Sequence, residues 1–155
     1  MFSIQRLPKV SYFCQEVNIP SLTLAAAQQS TPFSQVLLPG ETLEYGSLTV
    51  QFLVDDAMEN YKSIHDWMIG LGFPEGHAQY QAMLDESSNT GSNVAKSFSD
   101  ATLIVLGNSN TAIKTIKFVD LFPESLESIT FVSTSQDVQY LVGSATFKYS
   151  YYKFV

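Results

Sequence analysis

The stretch LVDDAMENYKSIHDWMIGLG, Leu53 to Gly72, decides how the rest of the chain is read. It has a start signal, an apolar stripe and a stop signal for one helix over residues 56–71. Asp55 or Asp56 is expected to cap it, because a carboxylate accepts hydrogen bonds from the free N–H groups of a first turn. Ala57, Tyr61, Ile64, Met68 and Leu71 follow at spacings of four, three, four and three, which puts them on one stripe. Trp67 lies beside Ile64 at the stripe's edge. Gly70 or Gly72 can end the helix, and Pro74 keeps it from resuming.

Around this helix the apolar pattern is that of strands. SLTVQFLV (47–54) alternates, with Leu48, Val50, Phe52 and Val54 on one side and Ser47, Thr49 and Gln51 on the other. KVSYFCQEVNI (9–19) has strand composition and stops at Pro20. Residues 21–46 form a long hairpin or extended excursion broken by Pro32, Pro39-Gly40 and Gly46. A connection of that length is usually functional. Residues 73–100 read as a mostly irregular loop, with a short helix possible at HAQYQAML and a mobile tip at SSNTGSN. ATLIVL, AIKTIKFVDLF, SLESITFVS and GSATFKYSYYKFV read as strands, the first two joined by a hairpin at GNSN, Gly107 to Asn110. The last alternates Ala145, Phe147, Tyr149 and Tyr151 against Thr146, Lys148, Ser150 and Tyr152. The expected architecture is therefore mainly β, in one domain over residues 1–155, with one amphipathic helix covering an apolar sheet face.

Composition bounds the function. The 155 residues carry a net charge of −7 and include eleven Phe and eight Tyr. Residues 46–100 hold eight acidic and two basic groups, so the acidity gathers around the helix. No basic patch for nucleic acid is visible. Cys14 is the single cysteine, which excludes an intrachain disulfide and a Cys/His zinc spacing. No signal peptide is read at Met1 to Lys9 and no apolar run approaches a membrane span, so a protein made in a reducing cytoplasm is expected, with no membrane role.

Catalytic signals are weak. GLGFPEG (70–76) lacks phosphate-loop spacing and follows a helix rather than a strand. His65 reads as the flank of an amphipathic helix and His77 as a loop residue; neither has a nucleophile beside it. Asp55, Asp56 and Glu59 read as a helix-start cluster. Cys14 reads as a buried small hydrophobe. Tyr149, Tyr151 and Tyr152 could stack bases, but Lys148 and Lys153 are too few to hold a strand, so packing is the better account. No enzyme, cofactor or metal site is expected. A small-ligand carrier and a histidine enzyme are the competing classes.

The order of parts resembles the tail-tube protein family of contractile-tailed bacteriophages. The resemblance rests on Asn60-Tyr61 and Asp66-Trp67 in the helix, on PGETLEYGSLTVQFLVDD before it, and on Phe118 to Leu126 with the closing aromatic strand. It covers nearly the whole chain.

The resemblance implies an antiparallel β-sandwich or flattened barrel with one flanking helix. It further implies hexameric rings that stack head to tail into a conduit through which DNA passes without specific binding. The sheath, baseplate and tail terminator are the implied partners, and the virion tail the implied location. The ring-stacking element is then 21–46, with Leu22, Leu24, Gln28, Phe33, Val36, Leu37 and Leu38 at the contact. Glu16, Glu41, Glu44, Thr49, Gln51 and Asp137 are lumen candidates. Tyr61, Ile64, Trp67, Met68 and Leu71 are the helix–sheet core. The repeating tube subunit is the first expectation. A tube initiator, a terminator ring, or the inner tube of a related injection system is the alternative.

Overall fold

The computed structural model describes residues 1–30, 32–87, 92–131 and 140–155. In chain order the elements are β1 (Phe2–Ile4), α1 (Pro8–Tyr12), β2 (Cys14–Val17), β3 (Leu22–Ser30), β4 (Gln35–Tyr45) and β5 (Leu48–Leu53). Then follow α2 (Glu59–Gly72), α3 (His77–Glu86), α4 (Asn93–Ser97), β6 (Ser99–Leu106), β7 (Ala112–Leu126), β8 (Val142–Lys148) and β9 (Tyr151–Phe154). All strand pairs are antiparallel. Seven strands form one sheet in the order β1-β6-β7-β8-β5-β2, with β9 on β7. The sheet is not closed into a barrel. β3 and β4 pair only with each other.

β7 makes this one folded sheet. Residues 116–119 pair with β9, and residues 122–126 pair with β8. Between them Asp120 has φ 55, a left-handed conformation that turns the strand. Ser150 sits opposite, where β8 gives way to β9. Its N–H donates to the Val119 carbonyl at 3.0 Å and its hydroxyl donates to Asp120 Oδ2 at 3.2 Å. The two halves fold toward each other at this corner and enclose the core.

Core residues come from both halves. Leu48, Val50, Phe52, Ala145 and Phe147 line one, and Phe2, Ile4, Ala101, Ile116 and Phe118 line the other. α2 closes the open side with Ile64 and Trp67, both buried. Trp67 is 2% exposed, 6.4 Å from the Phe147 ring centroid, and donates from Nε1 to the Ser97 carbonyl at 3.2 Å. Burying a large apolar side chain of this kind stabilises by about 1.5–3 kcal/mol. The Arg6 guanidinium lies 5.1 Å over the Trp67 ring and donates to the Met83 and Lys96 carbonyls at 2.6 and 3.0 Å. It ties α2, α3 and α4 to the N-terminal strand.

The structure corrects several expectations. Residues 9–19 are not one strand: Pro8 opens α1, where its missing N–H costs nothing, and only Cys14–Val17 pairs with β5. Leu7 and Val10 are both buried, a spacing of three that suits a helical turn. Residues 73–100 are less irregular than expected: the short helix read at HAQYQAML is α3, and α4 was not expected, so there are four helices among the described residues. Part of SSNTGSN lies outside them. β7 continues through Pro123 to Leu126, which absorbs the start of SLESITFVS; Glu127 to Phe131 is not strand and Val132-Ser133 lie outside the described residues. The closing strand breaks at Tyr149-Ser150, so its alternation changes phase: Tyr151 is exposed and Tyr152 half-buried.

The start of α2 also differs. Its N-cap is Met58, in a left-handed conformation, with no side-chain cap from Asp55 or Asp56. Asn60 replaces them. It is wholly buried, its Oδ1 accepts from the Asp55 N–H at 3.2 Å, and its Nδ2 donates to the Leu53 carbonyl at 2.6 Å. Ala57 falls in the preceding turn and is exposed. The buried stripe is Asn60, Ile64, Trp67 and Gly70, which rotates Trp67 from edge to centre. Tyr61, Met68 and Leu71 are partly buried beside it.

Gly70 does not end the helix. A Cβ there would lie 2.4 Å from Met83 Cβ, so glycine is what lets α3 pack on α2. Gly70→Ala is expected to destabilise the fold by about 1–3 kcal/mol through overpacking, read as a lowered midpoint in chemical denaturation. An unchanged midpoint would show that α3 can move aside without loss.

Candidate assembly interface

From Val17 to Gly40 the sequence holds no charged residue, and the structure exposes nearly all of it. Every residue of β3 is exposed. Leu22, Leu24 and Gln28 oppose Tyr45, Leu43 and Leu37 across the β3–β4 ladder, on one face. Leu38 and Val36 oppose Ala27 and Gln29 on the other. Phe33 in the turn region is 98% exposed and Leu37 67%. Among the described residues this two-stranded ladder pairs with no other strand and shows apolar side chains to solvent on both faces. Near its middle the register slips between Leu24 and Ala26. There Gly40 lies so close to Ala25 that a Cβ would sit 2.3 Å from the Ala25 carbonyl oxygen.

The hairpin is anchored by aromatics. The Tyr45 ring lies 5.9 Å from Tyr149 and 5.6 Å from Tyr152, and Tyr149 lies 5.1 Å from Phe118. The Tyr149 hydroxyl is buried there without a hydrogen-bond partner among the described residues. Burial, followed by the neighbouring Tyr152 and Tyr45, raises its pKa to about 12.

A second surface is the uncovered face of β5 and β8. Thr49 pairs with Thr146, and Gln51 with Ser144 on one side and Glu16 on the other. The opposite face of the same strands carries Leu48, Val50 and Phe52 into the core. Asn18 fixes the rim, accepting from the Thr49 N–H at 2.6 Å and donating to the Ser47 carbonyl at 3.2 Å. Glu16, Thr49 and Gln51 are thus brought together. Glu41 and Glu44 are not with them; they stand exposed on β4. Asp137 lies outside the described residues. Leu43 and Tyr45 were not among the expected contact residues, though they continue the alternation of Leu37 and could have been found from it, and the structural role of Asn60 was not read.

The catalytic candidates stay scattered. His65 is exposed and lies beside its neighbour Asp66, Nδ1 to Oδ1 at 3.3 Å. His77 stacks with Phe73 and Tyr80. Among the described residues no cluster of His, Cys, Asp or Glu could hold a metal ion. Cys14 is half-buried rather than core, and burial raises its thiol pKa, the opposite of activation.

The fold agrees with the comparisons. The chain matches the phage tail tube protein family over residues 2–155, and it belongs to that family. It is 30% identical over 143 residues to the tail tube terminator protein of Enterobacteria phage T4, covering 90% of this chain and 74% of that one. Among solved structures, a chain of the six-fold symmetrised anti-feeding prophage baseplate superposes with a TM-score of 0.59 at 13% identity, over 99% of this chain and 89% of that one. A chain of the anti-feeding prophage tube-terminating cap gives 0.57 at 14%, over 92% and 79%. The protein is a structural component of a phage tail, not an enzyme.

Tyr149 gives a pH test. Below about pH 10 its hydroxyl is neutral in both folded and unfolded chains and stability is unaffected; between about 10 and 12 the unfolded chain ionises first and stability is lost. Tyr149→Phe is expected to stabilise by about 1 kcal/mol at neutral pH by removing an unsatisfied hydroxyl. Its advantage in melting temperature should widen from pH 9 to 11. A constant gap would mean the hydroxyl finds a partner in solution.

Proposed function

We propose that the chain forms a hexameric ring that ends a contractile-type tail tube, with the β3–β4 hairpin reaching onto the adjoining tube ring. The observation that carries this reading is the 30% identity with a tail tube terminator along nearly the whole chain. The exposed hairpin supports the ring-to-ring contact, since it offers apolar area and open ladder edges, with no charge from its start to Gly40 and only Glu41 and Glu44 near its root. In this reading Leu22, Leu24, Gln28, Phe33, Val36, Leu37 and Leu38 contact the next ring. Thr49, Gln51 and Glu16 on the uncovered sheet face border the lumen. Short polar side chains with a carboxylate suit a wall past which a polyanion slides without sticking. Sheath, baseplate or head-end tail proteins are the remaining partners.

The second reading is the repeating tube subunit, favoured by the match to the tail tube family over residues 2–155. The two separate in one experiment. The purified protein is followed across a concentration series by size-exclusion chromatography and negative-stain microscopy, alone and with preformed tail tubes. A terminator gives single rings that never stack on themselves and that seat on one end of added tubes. Hollow tubes of indefinite length from this protein alone would overturn the terminator in favour of the repeating subunit. A monomer that neither forms rings nor binds tubes would overturn both.

A further inference from the structure

A ring made of identical chains needs two different surfaces on each protomer that fit each other. The structure carries such a pair away from the hairpin. Between α1, β1 and β2 lies an open cleft of about 500 Å³, lined by Phe2, Ile4, Pro8, Ser11 and Cys14. The outer edge of β1 is already used there, since the Ile4 N–H donates to Ser11 Oγ at 2.8 Å. β2 ends the sheet and its outer edge is open. β9 is likewise paired on one side only, with β7. It carries Phe154, 61% exposed although its strand is fully laddered, next to the half-buried Tyr152 at 6.0 Å. Lys153 on β9 and Glu16 on β2 are both exposed, and neither forms an ion pair among the described residues.

We propose that this cleft is the lateral seat for β9 of a second copy of the chain, with Phe154 as the apolar plug and Lys153 meeting Glu16. The contact rests on the ring reading above and deepens it. Knob and cleft occupy different edges of one molecule, so each protomer offers both and the contact propagates head to tail around a ring. Opposite charge at the rim fixes register, and the buried aromatic supplies the affinity.

Two variants test it. Phe154→Ala removes an exposed side chain, so the monomer's thermal melting should stay unchanged. The protein concentration needed for half-maximal ring formation should rise roughly tenfold or more, as for an interface anchor. Val155→Cys places a second thiol beside the plug. Oxidation with diamide should then give a ladder of covalent oligomers on a denaturing gel, and adding Cys14→Ser should abolish it. Rings that form normally with Phe154→Ala and give no ladder dependent on Cys14 would overturn this seat while leaving the ring reading intact. No ring from the unaltered protein at any concentration would overturn the ring reading and this seat with it.

Discussion

The bend in β7 at Asp120 is the constraint on which the other parts depend. A straight strand of fifteen residues would hold β6, β8 and β9 in one open layer with two wet faces. The left-handed residue at Asp120 and the facing break at Ser150 let one strand serve both halves of the sheet. The halves then face each other, and Phe118, Ile116 and Leu121 from the same strand reach one core with Phe147 and Phe52. Positive φ is unfavourable for a residue with a Cβ, but a carboxylate that accepts from the opposing hydroxyl recovers part of that cost.

What the core leaves uncovered is as ordered as what it buries. α2 covers only one face of β5 and β8, and Arg6 locks α3 and α4 behind it. The other face keeps Thr49, Gln51, Ser144 and Thr146 toward solvent. The β3–β4 hairpin leaves the sheet altogether and is held at its root by Tyr45 against Tyr149 and Tyr152. Acidity gathers around the helices while the hairpin has no charge from Val17 to Gly40. The exposed apolar hairpin and the acidic helical surface are therefore separated in space.

Much of this was legible in the residues. The alternation in 47–54, the helix read over 56–71 and found at Glu59–Gly72, and the hairpin at Gly107–Asn110 each follow from local rules, and local rules hold where one element supplies its own signal. The misses share a cause. α1 was read as strand because β-branched and aromatic residues packed at a spacing of three look the same in a short window. Asn60 was named only for the resemblance, and its buried role was not read, because its partners, the Leu53 carbonyl and Asp55 N–H, become reachable only when β5 turns into α2. Gly70 was offered beside Gly72 as a helix end, and Gly72 is where α2 stops; nothing local shows that Met83 will press against Gly70.

By itself the sequence determined a mainly β chain with a helix on one face and a long excursion that carries no charge as far as Gly40. Hydrophobic period, turn residues and charge placement are local quantities, and they suffice for that architecture; the tail-tube class is what the resemblance in the order of parts implied. The tertiary structure decided which side chains meet. It set the corner at Asp120, the centring of Trp67, the separation of Glu41 and Glu44 from Thr49 and Gln51, and the cleft beside Cys14. Each of these depends on contacts between residues far apart in the chain, and no window of sequence contains both partners.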